Sequence, residues 1–284
     1  LFVDSRYRET AETSAVSRMK IRSSVDLPER LGSARKIGIE SASVTLQKYD
    51  RWKRKYKNTK FVQTSDVVEH FRRSKASDEL RSIARACRIT NAVLRLVPSL
   101  LKQGITECAL AWRLEVESRK RGADGMAFES IVAFGDHTSR PHHHPTDREL
   151  RKGDLVQIDM GVKVADYCSD HSRVYFTGTP TADQAKAMKA LKLASAAAKR
   201  ILKAGVTNRS LDLRARAVLK TFGYNKEFSH ALGHGVGLDI HEGVTLSSKA
   251  SLQKLLRNEV ITIEPGLYFE GQWGMRIEDT VVVK

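Results

Sequence analysis

The stretch Phe228-Ser229-His230-Ala231-Leu232-Gly233-His234-Gly235-Val236-Gly237-Leu238-Asp239-Ile240-His241-Glu242 decides how the rest of the chain is read. Three histidines fall within twelve residues, and His234 stands between two glycines. Glycine permits φ > 0 and lets another group approach the backbone closely. A histidine held there suits a short bond to a metal or a substrate. The same residues also describe a glycine-rich turn whose histidine bonds only its own backbone, and a motif becomes a site only when its context agrees. His230 and His234 have the i, i+4 spacing of a zinc-binding helix. No Glu lies between them and glycines stand at 233, 235 and 237, so that helix is rejected.

Four carboxylates supply the context. Asp159 and Asp170 are symmetric about Val164-Ala165. A hairpin turning there sets them directly opposite, with Cβ atoms about 4.5–5.5 Å apart. Glu264 and Glu278 are symmetric about Gly271, so a turn over Glu270–Trp273 repeats the arrangement, unless a bulge at Pro265 shifts the register. Acids on the wet face of a strand are commonplace. Like charges directly opposed are not, because at about 4 Å they repel by a few kcal/mol. Two divalent cations match four carboxylates in charge. With His234 as the single nitrogen ligand, the set becomes Asp159, Asp170, His234, Glu264 and Glu278. Oxygen-rich ligation with one imidazole suits Mn, Co, Fe or Zn. Two such ions about 3.5–4 Å apart share a water, lower its pKa and polarise a carbonyl, which is hydrolase chemistry.

With 284 residues, 41% apolar and 29% charged, the chain is an ordinary globular protein large enough for two domains. It has no apolar run long enough to span a membrane. It begins at Leu1, inside an apparent strand, which predicts that an N-terminal piece precedes it. Cys87, Cys108 and Cys168 are scattered and odd in number, which predicts a reducing compartment such as the cytoplasm and no disulfide framework. Cys168 reads as a packed residue. The net charge is +16, with a dense run at Arg51, Lys53, Arg54, Lys55, Lys57 and Lys60. A nucleic-acid surface and a solvated helix face are both readings of that run; the helix face is preferred.

Residues 1–74 alternate strands (Leu1–Val3, Lys36–Ile39, Lys60–Gln63) with helices (Ser43–Tyr56, Ser65–Phe71), the pattern of a small α/β unit. A boundary is placed at Arg72–Lys75, leaving 75–284 as the second domain. There the patterns predict helices from Ser77 to Pro98, from Thr106 to Gly122, from Thr181 with a Gln184 capping box to Gly205, and over Ser210–Phe222. Hairpins are predicted over Asp154–Val164 with Tyr167–Phe176, and over Val260–Phe269 with Gly274–Val283. Grouped helices and hairpins define an α+β domain with antiparallel sheet.

These residues resemble a known family. Ile131-Val132-Ala133-Phe134-Gly135, Pro141-His142, Asp159-Met160-Gly161, Tyr167-Cys168-Ser169-Asp170, Gly233–Gly237, His241-Glu242, Glu264-Pro265-Gly266-Leu267-Tyr268 and Gly274-Met275-Arg276-Ile277-Glu278-Asp279 match, in order and spacing, the pita-bread metallopeptidases of the aminopeptidase P and prolidase type. Residues 1–74 resemble the later part of that family's N-terminal domain. The resemblance implies a dinuclear centre bridged by Asp170 and Glu278, and hydrolysis before a penultimate proline by a metal-bridging hydroxide. It also implies substrate-side roles for His142, His230 and His241, a proton shuttle at Glu264, and Arg276 orienting the acids. It implies a proline-containing peptide substrate and a homodimer. Proline's tertiary amide lacks an N–H and fixes φ, so such bonds need a dedicated pocket. Ser172 stands where the family usually has Thr, and Val244 where a proline is common. In the run His142-His143-His144, His142 is taken as the functional residue and the other two as exposed loop histidines. Prolidase is the alternative to aminopeptidase P. A basic binding module on a vestigial peptidase fold is the alternative of another class.

Overall fold

In the computed structural model the described residues are 2–13, 22–23 and 34–284, and the chain divides into two units at Val68/Glu69. In the first unit β1 (Phe2–Val3) pairs in parallel with β2 (Arg22–Ser23), and α1 (Arg8–Thr13) lies between them in sequence. Leu1 lies outside the described residues. β3 (Lys36–Glu40) pairs in parallel with β4 (Lys60–Thr64) through the crossover helix α2 (Leu46–Lys55). Thr45 caps α2 by accepting from the Lys48 N–H, and Trp52 stacks on Phe61 of β4 with ring centroids 6.2 Å apart. The basic run is the exposed side of α2 and the turn after it, with Lys48 and Lys53 lying over the Trp52 and Tyr49 rings.

α3 (Val67–Arg73) carries the chain into the second unit, where α4 (Ser77–Leu100) buries Ile83, Ala86, Ile89, Val93, Leu94 and Val97 along one face. The helix runs two residues beyond Pro98, its predicted end. Proline has no N–H for the carbonyl four residues back. That carbonyl, on Leu94, instead accepts from the Tyr175 hydroxyl at 2.8 Å. α5 (Glu107–Lys120) starts at the Thr106 cap. α6 (Ala182–Ile201) carries the predicted Thr181/Gln184 capping box, and its buried Ala187, Ala190, Ala194, Ala197 and Ala198 allow close packing. α7 (Asn208–Thr221) is capped at Thr207, three residues ahead of the predicted start. Among the described residues no helix is long and apolar enough to cross a membrane.

The strands of this unit are β5 (Gly125–Met126), β6 (Ile131–Phe134), β7 (Leu155–Met160), β8 (Val162–Val164), β9 (Tyr167–Cys168), β10 (His171–Phe176), β11 (Gly233–Gly235), β12 (Glu242–Leu246), β13 (Val260–Ile263), β14 (Gly266–Phe269), β15 (Trp273–Arg276) and β16 (Asp279–Val282). They pair in the orders β10-β7-β6, β5-β8-β9, β12-β11-β13-β16 and β14-β15, antiparallel throughout. One buried cluster joins α6 and α7 to the C-terminal strands; another joins α4 and α5 to β6, β7 and β8.

Two registers position the acids. The hairpin after β7 turns at Ala165-Asp166, both with positive φ (48° and 67°), one residue beyond the predicted turn. β-branched Val164 is unsuited to that conformation, whereas Asp tolerates it. Asp159 therefore faces Ser172, and Asp170 falls opposite Gly161. The expectation that Asp159 and Asp170 are directly opposed is corrected: they are diagonal neighbours on one face. Gly161 makes this possible, since a Cβ there would lie 1.8 Å from the Ser169 carbonyl oxygen. The second hairpin keeps its predicted symmetry: Ile263 pairs with Asp279 and Gly266 with Arg276, so the Glu264–Glu278 register holds across a break between strands at Pro265, whose carbonyl accepts from the Ile277 N–H at 3.4 Å. We predict that Gly161→Ala lowers unfolding free energy by at least about 1–3 kcal/mol, the cost of overpacking, read as a fall in the urea midpoint.

Candidate metal centre

Nine side chains singled out in the sequence line one cavity of about 730 Å³: His142, Asp159, Asp170, His230, His234, His241, Glu264, Arg276 and Glu278. Asp159 is the next-to-last residue of β7, His234 is the middle residue of β11, and Arg276 ends β15. Asp170, Glu264 and Glu278 stand in gaps between strands, so their own N–H groups need partners from other segments. Asp170 N–H donates to Thr280 Oγ1 (3.1 Å), Glu264 N–H to the Leu232 carbonyl (2.8 Å) and Glu278 N–H to the Ser172 carbonyl (3.1 Å). The acids are thus held rigidly by their main chain while their carboxylates stay available.

Gly233 and Gly235 do not supply positive φ; they supply close approach. A Cβ on Gly233 would lie 2.2 Å from the Thr262 carbonyl oxygen, and one on Gly235 would lie 2.1 Å from that of Glu242. The strands on either side of β11 could not pack there otherwise. His234 Nδ1 is hydrogen-bonded to the Gly235 carbonyl at 3.0 Å, which places the proton on Nδ1 and leaves the Nε2 lone pair open. Nε2 points between Asp170 Oδ2 (3.5 Å) and Glu264 Oε1 (3.4 Å). Ligand atoms of Asp170, His234 and Glu278 all lie within 4.8 Å of one another.

The electrostatics are unbalanced. Burial, reinforced by Asp159 and Glu264, pushes Asp170 well above the usual carboxylate range. Burial together with Asp170 does the same to Glu278, and burial raises Glu264 to about 7 against the pull of His234. Asp159 Oδ1, Asp170 Oδ1 and Glu278 Oε1 are buried without a hydrogen-bond partner. Buried orphan oxygens are costly. Three of them, converging with an open imidazole nitrogen, fit a site for divalent cations. Among the described residues one guanidinium lies in the cavity wall, that of Arg276, and each of its three nitrogens is engaged: it donates to Asp159 Oδ2 (2.6 Å), Ser172 Oγ (2.9 Å), the Tyr268 hydroxyl and the Pro141 carbonyl.

Around this centre His230 is bonded through Nδ1 to the Ala231 carbonyl (2.8 Å) and through Nε2 to Tyr268 Oη (3.2 Å), and burial drops its pKa to about 4. His241 is exposed at the cavity, its ring 4.0 Å from that of His234. His142 is exposed and His144 faces Glu129 at the surface. His143 is not a surface residue: it is 5% exposed and bonded to Glu107, so that expectation is corrected. Cys168 is buried, as expected, and burial pushes its thiol to about 11.

Sequence reasoning gave no role to Tyr268, although it lies four residues from Glu264 and so on the same strand face. It also missed Lys75 and Arg72, which bond Glu242 at 2.8 and 2.6 Å from more than 160 residues away, leaving no local signal.

The fold and the cluster define a metal-dependent hydrolase class built on carboxylates and one histidine. The chain belongs to metallopeptidase family M24, whose model matches residues 81–284; the Creatinase/Prolidase N-terminal domain matches residues 1–74. It is 32% identical to the Xaa-Pro dipeptidase of Pyrococcus furiosus over 98% of this chain and 79% of that one. Among solved structures it is similar to the X-Pro aminopeptidase of Thermotoga maritima (34% identity, TM-score 0.90, covering 100% and 82% of the two chains). It is also similar to the prolidase of P. furiosus (31%, TM-score 0.93, 100% and 83%). The fold is that of the pita-bread enzymes.

The raised carboxyls predict an inverted pH response. Unfolded acids ionise near pH 4, so in the metal-free folded state Asp170, Glu278 and Glu264 hold protons that the unfolded chain has released. Their contribution is full below about pH 4 and is lost as pH rises through the folded values, near 7 for Glu264. The melting temperature of chelator-stripped protein should fall between about pH 5 and pH 8. Asp170→Asn should raise it at the upper end, and a divalent cation should restore it in the unsubstituted chain only. A metal-free melting temperature that climbs over this range would count against the charge crowding.

Proposed function

We propose that this chain is a dinuclear-metal Xaa-Pro peptidase that cleaves the bond before a penultimate proline, as an aminopeptidase. The observation that carries the reading is the convergence of Asp159, Asp170, His234, Glu264 and Glu278 beside His142, His230 and His241 in one cavity. In this reading the five ligands would hold two divalent cations, and manganese is the favoured ion for so oxygen-rich a set. When bound, such cations would supply a water of lowered pKa and polarisation of the scissile carbonyl.

The chain's own residues do the rest. Glu264, in the cavity wall beside the other acids, takes the proton of the attacking water and delivers it to the proline nitrogen. Arg276 holds Asp159 in place and, through Tyr268, fixes His230. His230 has both ring nitrogens engaged and stays neutral, so it shapes the site. His142 and His241, exposed to the cavity, are left to meet a peptide carbonyl as charge develops on its oxygen. The three free cysteines accord with a reducing compartment.

Dipeptidase action is the second reading, favoured by the relative named an Xaa-Pro dipeptidase. With Mn²⁺ added, an aminopeptidase cleaves Xaa-Pro-Yaa tripeptides at least as well as Xaa-Pro dipeptides, and a dipeptidase cleaves only the latter. Asp159→Ala and His234→Ala should each cut kcat/KM by more than about 100-fold, since loss of a mere supporting partner at a metal site costs about 10- to 100-fold. Their circular dichroism should be unchanged. Full activity in either variant overturns the assignment.

A further inference from the structure

Outside the metal centre, the most heavily bonded buried charge among the described residues is Glu107, the first residue of α5 and fully buried. Its Oε1 accepts from the Phe134 N–H at 2.8 Å and lies 3.0 Å from His137 Nδ1. Its Oε2 accepts from the Thr146 N–H (3.0 Å) and hydroxyl (2.7 Å) and lies 2.8 Å from His143 Nε2. Burial alone would raise this carboxyl, but these donors outweigh it and hold it below its usual value. One carboxylate therefore ties together the start of α5, the end of β6 and the loop 141–146. That loop is fastened at its other end too, because the Pro141 carbonyl accepts from Arg276. His142 is the exposed residue between the two fastenings and lines the cavity beside the carboxylates.

We propose that Glu107, acting through His143 and Thr146, is a positioning residue that sets the imidazole of His142 over the metal centre. The inference rests on the reading that His142 meets the substrate. Glu107, His137 and His143 also offer atoms within 4.8 Å of one another, which could suggest a cation site. Five donors already occupy both carboxylate oxygens. Facing an ionised carboxylate, His137 Nδ1 and His143 Nε2 serve as N–H donors and so offer no lone pair. The cluster is a hydrogen-bond hub.

The test uses the full chain loaded with Mn²⁺, and compares Glu107→Gln and His143→Phe, each alone and combined with His142→Ala. A Gln must present N–H groups to one set of donors, and a Phe keeps the packing of His143 without its bond. Each single variant should lower kcat on an Xaa-Pro peptide by about 10- to 100-fold, the range expected for sub-ångström to 1 Å misplacement, with a smaller change in KM and unchanged metal content. In the His142→Ala background neither should have a further effect, because residues acting as one unit are not additive. In NMR of ring-labelled histidines, recorded with diamagnetic Zn²⁺ in place of paramagnetic Mn²⁺, the His142 signal (assigned by its loss in His142→Ala) should move in both variants, while those of His230 and His241 stay. The proposal is overturned by unaltered kcat with an unmoved His142 signal, by additive losses in the His142→Ala background, or by metal lost from a site beyond the centre. If the unsubstituted chain cleaves no Xaa-Pro peptide, the functional reading fails separately and the His142 signal alone decides the positioning. If Glu107→Gln does not fold, His143→Phe decides.

Discussion

Four carboxylates gathered in a buried wall, with a single guanidinium among the described residues for company, are the condition to which the second unit answers. Two unit charges at about 4 Å repel by about 4 kcal/mol even at an effective dielectric of 20. Protonation relieves part of this, as the raised values of Asp170, Glu278 and Glu264 record. Divalent cations, when bound, would relieve it, which would make charge balance and chemistry the same requirement. Arg276 occupies the centre of that balance, with its donors directed to Asp159, Ser172, Tyr268 and Pro141.

The backbone meets this condition by interrupting its own ladders. Asp170, Glu264 and Glu278 sit in gaps where strands part, and each borrows a partner for its N–H from a different segment. Ladder regularity is exchanged for side-chain convergence. The flanking glycines serve the same end, bringing whole strands close where a single methyl would collide with a carbonyl. The Pro98 gap in α4 is handled likewise, by a tyrosine hydroxyl from β10.

Much of this was legible from the residues. Capping sequences at Thr106 and Thr181 announced two helices, and the spacing about Gly271 announced the Glu264–Glu278 register, because the strand period of two leaves few alternatives. The Asp159–Asp170 register was misjudged by one turn position, since symmetric spacing alone does not choose between Val164-Ala165 and Ala165-Asp166; backbone preference at the turn does. His143 was misread because its partner Glu107 lies 36 residues away on another element. Nothing in a run of three histidines tells which one points inward. The same holds for Lys75 and Arg72 at Glu242: long-range ion pairs leave no periodic trace.

The two hairpins also constrain how descendants of this gene can vary. Extra residues at the tips, beyond Val164 or around Gly271, lengthen a surface loop and leave the pairing behind them intact. A single codon inserted between a ligand and its tip, on one arm only, would swing one carboxylate to the opposite face and dismantle the centre in one step. Length variation along this lineage should therefore accumulate at the hairpin tips and be purged from the arms.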